Sequence, residues 1–113
     1  MSVKIIIERK FKEVPSPENY KSINKLRVSA MHQRGYISGE TLINLEDNRE
    51  FVVISFWSKI DDWKSWLISE ERSELENELA PHLEEPAKIR AFRIGADAIM
   101  ESFEQFIHDA DAG

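Results

Sequence analysis

Residues 51–57 read FVVISFW, a run in which only Ser55 is not apolar. Successive side chains of a strand point to opposite faces of its sheet, so this run puts apolar groups on both faces. An antiparallel sheet with one face in water alternates apolar and polar residues instead, and so this strand asks for cover on both sides. Helices of the same chain cover one face. An identical sheet from a second copy is the expected cover for the other, because burying each Ile or Phe is worth roughly 1.5–3 kcal/mol. The alternative is a C-terminal helix folded back over that face. The first expectation is therefore a symmetric homodimer joined through the sheet.

Working outward, residues 3–11 (VKIIIERKF) are rich in β-branched side chains and end before the turn-forming Pro15-Ser16-Pro17, which makes them a first strand. From Pro17 to about His32, Tyr20, Ile23, Leu26, Ala30 and Met31 recur at helical spacing. Ser16 is placed to cap this helix, Pro17 suits its first position, and Gly35 stops it. Residues 36–45 (YISGETLINL) form a second strand, joined to the third by a hairpin through Glu46-Asp47-Asn48-Arg49. Ser58 and Asp61 resemble a capping box before Ile60, Trp63 and Leu67. Ser69 with Glu70 and Glu71 opens a second helical piece that runs through Leu75 and Leu79 to Pro81. After Pro86, residues 87–94 (AKIRAFRI) read as the last strand, and Gly95 closes it. Ile99, Met100, Phe103, Phe106 and Ile107 then share one helical stripe.

This order predicts an α+β fold: a ferredoxin-like βαββαβ domain over 1–95 with an additional C-terminal helix in 96–113, its first and third strands central. At 113 residues there is room for one core. The formal charge of −6, with basic residues scattered among acids, argues against a nucleic-acid partner. No apolar run approaches the roughly 20 residues of a membrane span, and no secretory h-region precedes Glu8, so no membrane partner and a cytoplasmic address are expected. Without cysteine there are no disulfides, thiolate metal sites or Cys nucleophiles. Zinc spacing, Gly-rich phosphate loops and nucleophile elbows are missing, and no metal site is expected.

Four stretches carry a family likeness. Residues 34–42 (RGYISGETL), 51–57 (FVVISFW), 63–72 (WKSWLISEER) and 79–92 (LAPHLEEPAKIRAF), in this order and at fitting intervals, resemble the antibiotic biosynthesis monooxygenase family across about residues 3–94. The resemblance implies a dimeric α+β barrel in which two sheets pack face to face and each subunit keeps a pocket between its sheet and helices. The family includes cofactor-free oxygenases of phenols and quinols, haem-degrading enzymes, and members without known activity. Its haem-degrading branch implies an Asn on the first strand, a Trp on the helix after the third strand, and a His about ten residues further on. Trp66 matches the second. The first strand has no Asn, and ten residues after Trp66 stands Glu76.

What the resemblance implies for these residues is a function without cofactor: monooxygenation of a small phenolic or quinol-type aromatic, which once deprotonated passes an electron to oxygen itself. The alternative is a non-catalytic dimeric module that binds a small apolar ligand or serves a stress-related role. The candidate pocket residues are Tyr36, Trp57, Trp66 and Phe92, with Asn44, Arg93 and His82 as polar handles. Trp63 reads first as core, and His82 either as a base or as a solvated loop residue. His32 suits a helix C-terminus, and the acids over residues 70–85 read as a solvated face. Glu8 and Arg9 interrupt an apolar central strand, and whichever points inward needs a partner or a ligand.

Overall fold

A computed structural model describes residues 2–94. The expected C-terminal helix, its docking and His108 lie outside these residues. The elements are β1 (Val3–Lys10), α1 (Pro17–Met31), β2 (Tyr36–Ile43), β3 (Glu50–Trp57), α2 (Ile60–Leu67), α3 (Glu70–Leu79), a 3-10 turn at Ala80–His82, and β4 (Lys88–Arg93). All neighbouring strands are antiparallel, in the order β2-β3-β1-β4. The central positions expected for the first and third strands are those observed.

Burial along β1 alternates without a break, with Val3, Ile5, Ile7 and Arg9 under the helices and Lys4, Ile6, Glu8 and Lys10 on the outer face. In β3, Phe51, Ser55 and Trp57 are buried and Val52, Ile54 and Phe56 are half-buried. The strand is thus apolar on both faces. β2 contains a bulge. Tyr36 pairs with Trp57 and Ser38 with Phe56, so Ile37 is an extra residue, after which Gly39 and Thr41 share the helix-side face with Tyr36.

Helix α1 begins as its sequence dictates. The Ser16 hydroxyl accepts from the Asn19 backbone N–H at 3.2 Å while the Asn19 side chain accepts from the Ser16 N–H at 3.0 Å, a reciprocal cap worth about 1 kcal/mol. Ile23 and Leu26 are buried beneath it, with Ala30 packed against them. Met31 and Tyr20 diverge from the expected stripe and are exposed, although the Tyr20 ring still meets Phe51 at 5.7 Å between centroids. Met31 follows Ala30 directly, about 100° further round the helix, and so leaves the buried face. His32 donates from Nδ1 to the Val28 carbonyl at 2.7 Å and covers the end of the helix.

The cap expected at Ser58 is displaced by one residue. Ser58 is tied to the sheet by its N–H, which donates to the Gly35 carbonyl at 2.8 Å, so α2 starts after Lys59, and its first turn carries Asp61 and Asp62. Their charge favours the positive end of the helix dipole. At α3 the Ser69 hydroxyl accepts from the Arg72 N–H at 3.2 Å, the expected cap.

Gly35 makes the turn from α1 into β2 with φ of +83°, and a Cβ there would collide with the Asp62 side chain. Gly35→Ala is expected to lower stability by about 1–3 kcal/mol in urea unfolding. Adding Asp62→Ala should recover the steric part and leave the backbone part, so the double variant should be less destabilised than the sum of the two single ones.

Candidate functional site

Between the sheet and the three helices lies a cavity floored by Ile7, Val53 and Ser55 and roofed by Ile23, Leu26 and Ala30 of α1. Its walls are aromatic. Tyr36 meets Trp57 edge to face at 5.4 Å between centroids, and Trp57 meets Trp63 at 5.8 Å, arrangements worth about 0.5–1.5 kcal/mol per pair beyond the area they bury. Trp57 is fully buried, and its indole N–H donates to the Ser55 hydroxyl at 3.0 Å, two residues back on the same strand face. Trp66, 4% exposed, completes the wall from α2. Tyr36 lies across Gly39, where a Cβ would strike its hydroxyl and come within 3.1 Å of the Ile54 carbonyl.

One end of the cavity is charged. Arg9 continues the inward face of β1 and is 5% exposed; Arg72, on the buried face of α3, is 8% exposed. Both guanidinium groups converge on Oε1 of Glu76, Arg9 in direct contact and Arg72 at 3.3 Å. Arg72 also lies over the Trp63 ring at 5.8 Å, a cation–π contact. Burial pushes the Arg72 pKa down, Glu76 opposes the shift, and Arg9 adds to it; a guanidinium stays protonated nonetheless. The Nε–H of Arg9 is buried without a hydrogen-bond partner among the described residues, which costs about 1–3 kcal/mol. Arg27 stands at the open side, between α1 and β2. Burial raises the Tyr36 phenol above its ordinary pKa, while the Arg27 charge pulls it down.

Of the residues singled out from the sequence, Tyr36, Trp57 and Trp66 meet at this cavity, and Trp63, read first as core, is both core and wall. The others lie elsewhere. Asn44 shapes the β2–β3 turn, accepting from the Glu46 N–H at 2.8 Å. His82 is exposed on the 3-10 turn beside a shallow groove with Lys12 and Asn19. Phe92 and Arg93 belong to β4, at the sheet edge remote from β2, whereas the cavity spans β2, β3 and β1.

The inward member of the pair Glu8 and Arg9 is Arg9. Glu76 corrects the reading of the acids as a solvated face, since it is half-buried beneath two arginines while Glu70, Glu71, Glu74 and Glu78 are exposed. The spacing of Arg72, Glu76 and Leu79 on one side of a helix carries that signal in the sequence.

The chain has the ferredoxin-like α+β fold of the antibiotic biosynthesis monooxygenases. No protein-family model and no curated protein matches the sequence. Among solved structures, it is similar to a cofactor-independent oxygenase from Streptomyces nogalater, with 14% identity over 81% of this chain and 91% of that one and a TM-score of 0.73. It is similar as well to a candidate antibiotic biosynthesis monooxygenase from Nitrosomonas europaea, with 13% identity over 80% and 88% and a TM-score of 0.74. A third, described as an antibiotic biosynthesis monooxygenase, shares 14% identity over 80% and 96% with a TM-score of 0.68.

Among the described residues Glu76 is the only carboxylate between the two buried cations Arg9 and Arg72, so its loss should outweigh the loss of either arginine. Glu76→Gln is expected to cost about 3 kcal/mol in denaturant unfolding. Arg72→Met should cost clearly less, because Arg9 keeps its carboxylate.

Proposed function

We propose that this protein is a cofactor-independent monooxygenase of a small phenolic or quinol-type aromatic. The observation that carries the reading is a cavity with Tyr36, Trp57, Trp63 and Trp66 on its walls and guanidinium groups at one end. Aromatic walls hold a ring by its faces and edges. Fixed cations stabilise the oxyanion of its ionised form without reorganising as the charge develops. The ionised ring is electron-rich enough to reduce oxygen directly. One oxygen atom then enters the ring as a quinone carbonyl, and the other leaves as water with the one hydrogen of the ring carbon and the proton that the phenol gave up. The protein binds, orients and favours ionisation; the phenolic proton passes to solvent, from which the leaving oxygen regains it.

Haem degradation finds no support in these residues. β1 offers no Asn, and the position ten residues after Trp66 is Glu76, engaged by two arginines.

The free space favours a small ring and gives a second reading its footing. It amounts to about 50 Å³, against the roughly 150 Å³ of a cavity that holds benzene. A substrate therefore enters from the open side by displacing Arg27 and Tyr36. If those side chains do not yield, the protein is a non-catalytic module with a largely filled core. Oxygen consumption by the purified protein with a panel of quinols and anthrols separates the two readings. Uptake above the uncatalysed rate, reduced at least about tenfold by Trp66→Ala, is expected, and no uptake with any member would leave the second reading.

The working form is a homodimer joined through the outer face of the sheet. Ile6, Val52, Ile54 and Phe56 make an apolar stripe there, extended by the exposed Leu42 and Phe92. Light scattering on the eluting protein should give twice the 13.2 kDa chain mass. Ile54→Lys, at the centre of the stripe, should shift the mass toward that of one chain without loss of secondary structure.

A further inference from the structure

The charges around the cavity do not balance. Arg9, Arg27 and Arg72 line it, and the carboxylate facing them is that of Glu76. Glu40 also borders the cavity, but it pairs with Ile54, on the outer face of the sheet, so its side chain is directed away. Among the described residues two nearly buried cations thus share one anion in surroundings that are otherwise apolar, with the exposed Arg27 as a third cation at the rim. Among the described residues the Arg9 Nε–H is still without an acceptor. Apolar surroundings make uncompensated charge unfavourable and a matching anion correspondingly well bound. A guanidinium is too weak an acid to transfer protons, and its planar fork matches a carboxylate.

We propose that the aromatic ligand of this cavity carries a carboxylate, seated against the Arg9 and Arg72 guanidinium groups, with the ring between Tyr36, Trp57 and Trp66. The ligand is then a small hydroxyaromatic acid. Its carboxylate supplies the acceptor that Arg9 lacks and fixes which ring carbon faces the free space. The positive end of the cavity that favours ionisation of the ring thus also selects the substrate, by its carboxylate. The assignment rests on the cavity being the ligand site.

The test compares 4-hydroxybenzoate with its neutral counterpart 4-hydroxybenzamide at neutral pH, by calorimetry and by tryptophan fluorescence. The acid should bind the wild-type protein at least about tenfold more tightly than the amide. The preference should fall below about threefold in Arg9→Met and in Arg72→Met, while Arg72→Lys should keep part of it. Equal affinities, no binding of either compound, or a preference that survives both methionine variants would overturn the assignment. The wild-type comparison decides alone if a variant fails to fold. Because binding requires no turnover, acid preference without oxygen uptake overturns the oxygenase reading and leaves this site standing. Uptake with neutral quinols and no acid preference overturns this site alone.

Discussion

The alternation of β1 organises everything around it. A strand between two antiparallel partners has no freedom to turn, so Val3, Ile5 and Ile7 are committed to the helices and Lys4, Glu8 and Lys10 to the outer face. A slip of one residue would bury Lys4, Glu8 and Lys10 in exchange for Arg9, and release Val3, Ile5 and Ile7 in exchange for Ile6. Burying each of those aliphatics is worth roughly 1.5–3 kcal/mol, which is enough to hold the register against such a slip. Arg9 is carried inward by the same alternation, and the core must answer it with Glu76 from α3. Attachment of α3 to the sheet thereby depends on an ion pair as well as on Leu79, and the charged end of the cavity follows directly from the packing of the strand.

Most of the architecture was legible in the sequence because its signals are local. Pro17 after Ser16, the glycine at position 35, the acids after Ser69 and the doubly apolar run 51–57 each specify an element without reference to distant residues. The cap at Ser58 escaped such a reading because a contact distant in sequence, with the Gly35 carbonyl, holds Ser58 to the sheet. The candidate site was less legible for the same reason. Aromatic residues announce a pocket by type, so Tyr36, Trp57 and Trp66 were found. Asn44, His82, Phe92 and Arg93 were equally plausible by type and are excluded from the cavity by position alone. Arg72 and Glu76 look like any exposed i,i+4 pair until the helix is set against Arg9.

The cavity combines what is usually kept apart: large aromatic surfaces and paired guanidinium groups. The indole of Trp57 is quieted by Ser55, and Arg72 rests on the face of Trp63, so the polar groups of the walls are largely occupied by their neighbours. Arg9 departs from this pattern, with one N–H unspent. A buried group in that condition lowers stability while the cavity is empty and raises affinity when an acceptor arrives. The protein thus gives up some stability at this end of the cavity.

The bulge at Ile37 has an arithmetical consequence. Tyr36 and Gly39 are three apart, an odd separation that in a regular strand sends two residues to opposite faces; the extra residue resets the count, and Gly39 and Thr41 arrive on the side of Tyr36. Uninterrupted, the same segment would turn Ser38, Glu40 and Leu42 inward and place a carboxylate among the tryptophans. One inserted residue therefore acts as a phase shift on the lining of the cavity. In this fold the chemistry of a site can be rewritten by changing the length of an edge strand by one, without a substitution at any lining position.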